Sequence, residues 1–111
     1  MTMTIERKSE VATNRDPIEI DWNEARRIIE EEGGILIDLR KAEDVKKEPL
    51  PSARRVDVDD ILLYKFKFDK GKKYVFVDYL GITSKILCEY LKKLGIEAFA
   101  IKGGIKGIKK E

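Results

Sequence analysis

Histidine and glutamine are absent from this chain of 111 residues, and cysteine occurs once, as Cys88. A single cysteine forbids a disulfide within the chain, and the lack of histidine excludes the Cys/His clusters that hold zinc. No apolar run approaches the roughly 20 residues of a membrane-spanning helix, and the N-terminus has no apolar signal-peptide core. We therefore expect a cytoplasmic protein with no metal, no cofactor and no membrane partner.

Charged residues make up 40% of the chain, yet the formal net charge is only +2. So small an excess argues against a nucleic-acid partner, although lysines gather at 65–73 and 102–110. Many charged residues combined with scarce amides are typical of heat-adapted proteins, because ion-pair networks cost less to form at high temperature. The composition therefore predicts a protein of a thermophile.

The first 16 residues are polar and show no periodic apolar pattern, which predicts a flexible N-terminal arm. From residue 17 to 111, short apolar runs alternate with helical patterns, and this length suits one domain. Strands are predicted at 17–20, 35–37, 53–58, 74–77 and 96–101, with 74–77 in the centre. The alternation predicts an α/β domain with a mainly parallel sheet.

The pattern after residue 83 predicts a helix whose core-facing side carries Ile86, Leu87, Tyr90, Leu91 and Leu94. Cys88 would lie at the flank of that face, beyond the first helical turn. No histidine is available to activate its thiol, and a lone cysteine in such a place is usually a small packed hydrophobe. The position therefore argues against catalysis by Cys88.

Four stretches, taken in chain order, resemble the motifs of the rhodanese-like domain family. They are Leu36 to Arg40 with Glu43 to Val45, Leu50 to Ala53, Asp78 to Ser84, and Lys102 to Ile105. The resemblance covers about residues 18–108. It implies a five-stranded, mainly parallel sheet flanked by helices on both faces. In active family members a loop cysteine takes a sulfane sulfur from thiosulfate or a protein persulfide and passes it to a thiophile.

At the position of that loop cysteine, the resemblance places Asp78. The implied site is the loop Asp78, Tyr79, Leu80, Gly81, Ile82, Thr83 and Ser84, with Asp38 and Arg40 nearby. A carboxylate cannot carry a persulfide, and its charge repels thiosulfate. We therefore expect a rhodanese-like domain without sulfurtransferase activity that acts by binding an unidentified protein or small ligand.

Two alternatives stay open at this stage. Cys88 could carry sulfur in place of the missing loop cysteine. Alternatively, Asp78 could accept a phosphoryl group or bind Mg²⁺ with Asp38, Thr83 and Lys102, because ligands bind at the carboxyl ends of parallel strands. The second alternative is weakened because Asp38 stands alone, where receiver domains have a pair of acids.

Overall fold

In the computed structural model, which describes residues 17–109, a five-stranded sheet has helices on both faces. The strands are β1 (Glu19–Ile20), β2 (Ile35–Asp38), β3 (Arg54–Arg55), β4 (Lys73–Val77) and β5 (Glu97–Ile101). The helices are α1 (Trp22–Glu32), α2 (Ala42–Lys47), α3 (Val58–Leu62), α4 (Thr83–Lys93) and α5 (Gly104–Lys109). The predicted arm at 1–16 lies outside the described residues.

The strand order is β1-β5-β4-β2-β3, and all four pairings are parallel. This confirms the predicted α/β class and the central place of β4. Because every strand runs in the same direction, the loops that follow β2 and β4 leave the sheet at one edge. Asp38 pairs with Val77 in the register, so Asp78 emerges beside the residues that follow Asp38.

The sheet separates two apolar cores. Phe76 and Ile37 face a core that α4 covers with Leu87, Cys88 and Leu91. Val75 and Val77 face the opposite core, where Ala25 and Ile28 of α1 pack. Successive side chains of a strand point to opposite faces, so a strand covered on both sides must be apolar throughout. The uninterrupted apolar run of β4 follows from that requirement.

Residues at its two ends set the limits of helix α1. The Asp21 carboxylate accepts the backbone N–H of Glu24 at 2.8 Å, which satisfies one of the free donors of the first turn. At the other end Gly33 adopts a left-handed conformation with φ of 70°. None of the helices within residues 17–109 is long and apolar enough to span a membrane.

Two details differ from the prediction. The strand predicted at 53–58 is only two residues long, and helix α3 already begins at Val58, with Asp57 at its N-cap position. The buried face of α4 consists of Ser84, Leu87, Cys88 and Leu91. Ile86 is 63% exposed and Leu94 41% exposed, because the loop from Asp78 fixes the rotation of α4 about its axis.

Candidate functional site

The loop between β4 and α4 folds around the carboxylate of Asp78. One carboxylate oxygen, Oδ1, accepts the backbone N–H of Gly81 at 2.8 Å and the hydroxyl of Ser84 at 2.7 Å. The other, Oδ2, accepts the backbone N–H of Thr83 at 2.8 Å. Asp78 is only 9% exposed and Ser84 is fully buried. The carboxylate is therefore the centre to which the donors of this loop point.

Asp78 also supplies the N-terminal capping that α4 otherwise lacks. The N-cap residue, Ile82, has no side-chain acceptor, so the first helical N–H groups need a partner from elsewhere. The carboxylate of Asp78 reaches across the loop to the N–H of Thr83, the first residue of the helix. A negative charge at this end is favourable because the helix dipole is positive there.

The turn in which α5 begins packs against this loop. The backbone N–H of Ile105 donates to the carbonyl oxygen of Asp78 at 2.9 Å. Gly104 has φ of 62°, and a Cβ atom on it would lie 2.4 Å from that same carbonyl oxygen. Only glycine combines this conformation with so close an approach. The turn and the Asp78 loop are thus built to fit each other.

Asp38 and Arg40 form a buried ion pair beside the loop. Arg40 Nη2 lies 2.8 Å from Asp38 Oδ2, and the backbone N–H of Arg40 donates to Oδ1 at 3.0 Å. The hydrogen bond with Asp38 raises the pKa of Arg40. Arg40 Nη2 also donates to the carbonyl oxygen of Glu48. Both charges are compensated within the fold, so this pair holds the segment after β2 in place.

An open depression of about 460 Å³ lies between the Asp78 loop and the segments that follow β2 and β3. Its lining includes Asp78, Tyr79, Leu80, Ile82 and Thr83 from the loop, with Leu39, Arg40, Lys41, Asp44 and Val58 opposite. The structure thus places Arg40 beside the predicted loop. Asp38 is hydrogen-bonded to Arg40 and does not line the depression.

Four lining residues were not among the predicted site residues: Leu39, Lys41, Asp44 and Val58. Their place after strand ends was the available signal, since loops that follow parallel strands meet at one edge. On the loop itself, Leu80 and Ile82 are at least half exposed, at 50% and 62%. The Lys106 ammonium lies 5.4 Å from the centre of the Tyr79 ring. The mouth of the depression therefore combines apolar surface with a few charges.

Cys88 is remote from solvent. It is fully buried among the core residues under α4, and burial strongly raises the pKa of its thiol. The negative charge of Asp78 raises that pKa further. The thiolate, which is the reactive form of cysteine, is therefore strongly disfavoured at this position.

The described residues 17–109 hold no group of three or more Asp, Glu, His or Cys side chains that could bind a metal ion. The Asp38 carboxylate is engaged by Arg40, and Lys102 does not line the depression. Of the residues that the phospho-acceptor alternative names besides Asp78, Thr83 lines the depression, whereas Asp38 and Lys102 do not.

The family model of the rhodanese-like domain matches residues 21–111 of this chain. The chain is 44% identical over 71 residues to a tRNA sulfurtransferase of Pyrobaculum aerophilum, a match that spans 64% of this chain and 15% of that protein. It is 34% identical over 70 residues to the putative sulfurtransferase YtwF of Bacillus subtilis, spanning 63% of this chain and 68% of that protein.

Solved structures show the same fold. The crystal structure of a rhodanese-like domain protein from Staphylococcus aureus superposes with a TM-score of 0.70 at 26% identity, over 81% of this chain and 89% of that one. The five-stranded parallel sheet described above is therefore the architecture of these neighbours.

Proposed function

The chain belongs to the rhodanese-like family, and from that premise we propose that it keeps the family's fold without sulfurtransferase activity. In this proposal Asp78 occupies the place of the cysteine nucleophile. The domain at 17–111 then acts by binding a protein partner or a small ligand at the loop 78–84.

One observation carries the proposal: the carboxylate of Asp78 accepts three hydrogen bonds from the loop that surrounds it. Donors that converge at a helix N-terminus form a ready anion site. In a loop with a cysteine, such donors would stabilise a thiolate and then a persulfide. Here the side chain of Asp78 is itself the anion, so the donors are already engaged and an incoming thiosulfate meets a negative charge.

Cys88 offers no replacement nucleophile. Sulfur transfer requires a thiolate that can reach the outer sulfur of thiosulfate, and this thiol is fully buried with a raised pKa. Its direct neighbours are core residues under α4, while the open depression is lined by other side chains. The buried position supports a packing role for Cys88.

The depression beside Asp78 supports the binding role. It is open to solvent and presents Leu80 and Ile82 together with Lys41 and Asp44. Half-exposed apolar side chains around a concave site favour contact with a ligand or a partner. The match to the Pyrobaculum protein spans only 15% of its length, so action on tRNA is not part of this proposal.

The test is thiocyanate formation from thiosulfate and cyanide by the wild-type chain, by Cys88→Ala and by a heat-denatured control. We expect both folded proteins to match the denatured control, because neither presents an accessible thiolate. Mass spectrometry after thiosulfate exposure should find no added sulfur on Cys88. Turnover clearly above the control would overturn the proposal, and its loss in Cys88→Ala would identify Cys88 as the nucleophile.

A further inference from the structure

A second concave surface lies at the other end of the sheet, where β4 and β5 begin. This groove has a volume of about 340 Å³ and runs between the segment before β4 and the C-terminal half of α4. Its apolar lining includes Phe66, Phe68, Leu91 and Leu94. Since the Asp78 loop follows the carboxyl end of β4, the groove is separate from the site described above.

The charged side chains that line the groove are both lysines, Lys67 and Lys70. Each is exposed, and within residues 17–109 neither has an ion-pair or hydrogen-bond partner. The neighbouring carboxylate of Asp69 accepts the N–H of Gly71 inside its own turn and is not part of the lining. Arg54 adds a further positive charge 5.0 Å from the Phe66 ring. The groove is therefore apolar within and positive at its rim.

Two tyrosines add hydrogen-bonding capacity to the lining. The hydroxyls of Tyr64 and Tyr90 lie 3.0 Å apart, and either can donate to the other. Tyr64 is 74% exposed and adopts φ of 60°, a conformation that is rare for a bulky side chain. Burial in the core does not account for this placement of Tyr64. A partner that covers the groove would bury its ring.

We infer that the groove binds an acidic peptide of a partner protein. One bulky apolar side chain of that peptide inserts between α4 and the stretch of chain that precedes β4. The positive rim is complementary to the acidic residues of such a peptide. The apolar lining is complementary to the side chain that inserts into the groove.

The lining fits a peptide better than single-stranded nucleic acid. Bases bind by stacking on open aromatic faces. Here the Phe68 ring packs edge-on against the rings of Phe66 and Tyr74, with ring centres 4.8 Å and 4.9 Å apart, so these rings are engaged with one another. Tyr64 is the lining ring that is mostly exposed, and one such ring does not form a row of stacking surfaces. Aliphatic side chains such as Leu91 and Leu94 supply much of the remaining lining. A charged peptide with an apolar anchor matches both parts of the surface.

The test is a titration of the ¹⁵N-labelled full-length chain followed by NMR chemical shifts. The probe is a synthetic hexapeptide with leucine and phenylalanine in the middle and two glutamates on each side. Two further peptides replace either the apolar pair by glycines or the glutamates by lysines. The protein variants are Lys67→Glu with Lys70→Glu, and Leu94→Glu. The matched control, Lys46→Glu with Lys47→Glu, makes the same charge change on α2, away from the groove.

We expect shifts confined to the groove with a dissociation constant below about 1 mM for the acidic apolar peptide. Both groove variants should weaken binding at least about tenfold, while the control variant binds as the wild type does. Equal binding of the glycine peptide, equal binding by the charge-reversed variant, or no shifts at the groove would overturn the inference. Groove shifts produced by an oligouridylate or by self-association alone would also overturn it.

Discussion

At the scale of single residues, Asp78 both carries a largely buried negative charge and caps a helix. Its charge is compensated by the N–H groups of Gly81 and Thr83, and its position caps α4. Hydrogen bonds to a charged group are stronger than those between neutral groups. We therefore expect that the loop geometry depends on an anion at position 78, which links the local stability to the proposed loss of sulfur chemistry.

Cys88 gives a prediction of how stability depends on pH. Burial raises the pKa of its thiol in the folded state, so above the ordinary pKa of about 8.5 the unfolded chain loses this proton while the folded chain retains it. The contribution of the buried Cys88 thiol to the free energy of unfolding is then complete below about pH 8.5 and declines as the pH rises. By linkage, the wild type should lose about 2 kcal/mol of unfolding free energy between pH 7 and pH 10 relative to Cys88→Ala.

Urea unfolding of both proteins across this pH range measures the difference. The lysines and acids are the same in the two chains, so their titration cancels in the comparison. Parallel curves for the two proteins would show that the thiol ionises freely in the folded state, and would contradict the buried position of Cys88.

At the scale of elements, the Asp78 loop and the turn in which α5 begins form one unit. A Cβ atom on Gly104 would lie 2.4 Å from the carbonyl oxygen of Asp78, whereas one on Gly33 would meet nothing within 4 Å. Both glycines have a positive φ, at 62° and 70°. The two glycines differ in the space around them. Alanine substitutions at both positions therefore separate the cost of a steric clash with the loop from the cost of the left-handed backbone conformation.

We predict that Gly33→Ala lowers the free energy of unfolding by about 1 kcal/mol, which is the cost of the left-handed conformation. Gly104→Ala should lower it by about 1–3 kcal/mol more, because the added methyl group must displace the loop backbone. Urea denaturation with both variants measures this. Equal losses would mean that the turn and the Asp78 loop are not tightly packed.

The helices also show which structural features the sequence pattern was sufficient to predict. The limits of α1 follow from local chemistry, since Asp21 caps its start and Gly33 ends it. The existence of α4 was predicted, but its buried face only in part: Leu87 and Leu91 are buried as predicted, while tertiary contacts fix which other residues of the helix face the core. The apolar residues Ile86 and Leu94 are exposed, while the polar Ser84 is buried against Asp78. Apolar periodicity alone could not identify a buried hydroxyl that has a carboxylate partner.

At the scale of the whole molecule, the order of strands and helices was predictable because apolar runs and helical patterns alternate along the chain. The places of the Asp78 loop and of Asp38 and Arg40 were predictable too, because these residues lie at the end of a strand or just after it. The wall of the depression formed by Lys41 and Val58 and the groove at the other edge of the sheet depend on packing between distant segments. The place of Lys41 and Val58 after strand ends indicates the edge of the sheet at which they lie, but no local pattern encodes the contacts that form either surface.

The two concave surfaces lie at opposite ends of β4, which gives the domain two candidate contact faces. One surrounds a charge-compensated carboxylate, and the other is an apolar groove with Lys67 and Lys70 at its rim. Binding at one face leaves the other accessible. The failure of either proposal would therefore leave the other intact.

The measurement that tests the central claim most directly is the pKa of a thiol introduced at position 78. In Asp78→Cys with Cys88→Ala, the new thiol is the single one in the chain, and its alkylation rate by iodoacetamide against pH gives its pKa. The matched control is Arg26→Cys with Cys88→Ala, which places a thiol on an exposed position within α1. If the loop is the anion site of a rhodanese-like domain, the pKa at position 78 should lie at least about one unit below the ordinary value of 8.5 and below that of the control. A pKa equal to the control would contradict the account, because the loop would then have lost the geometry that stabilises an anion.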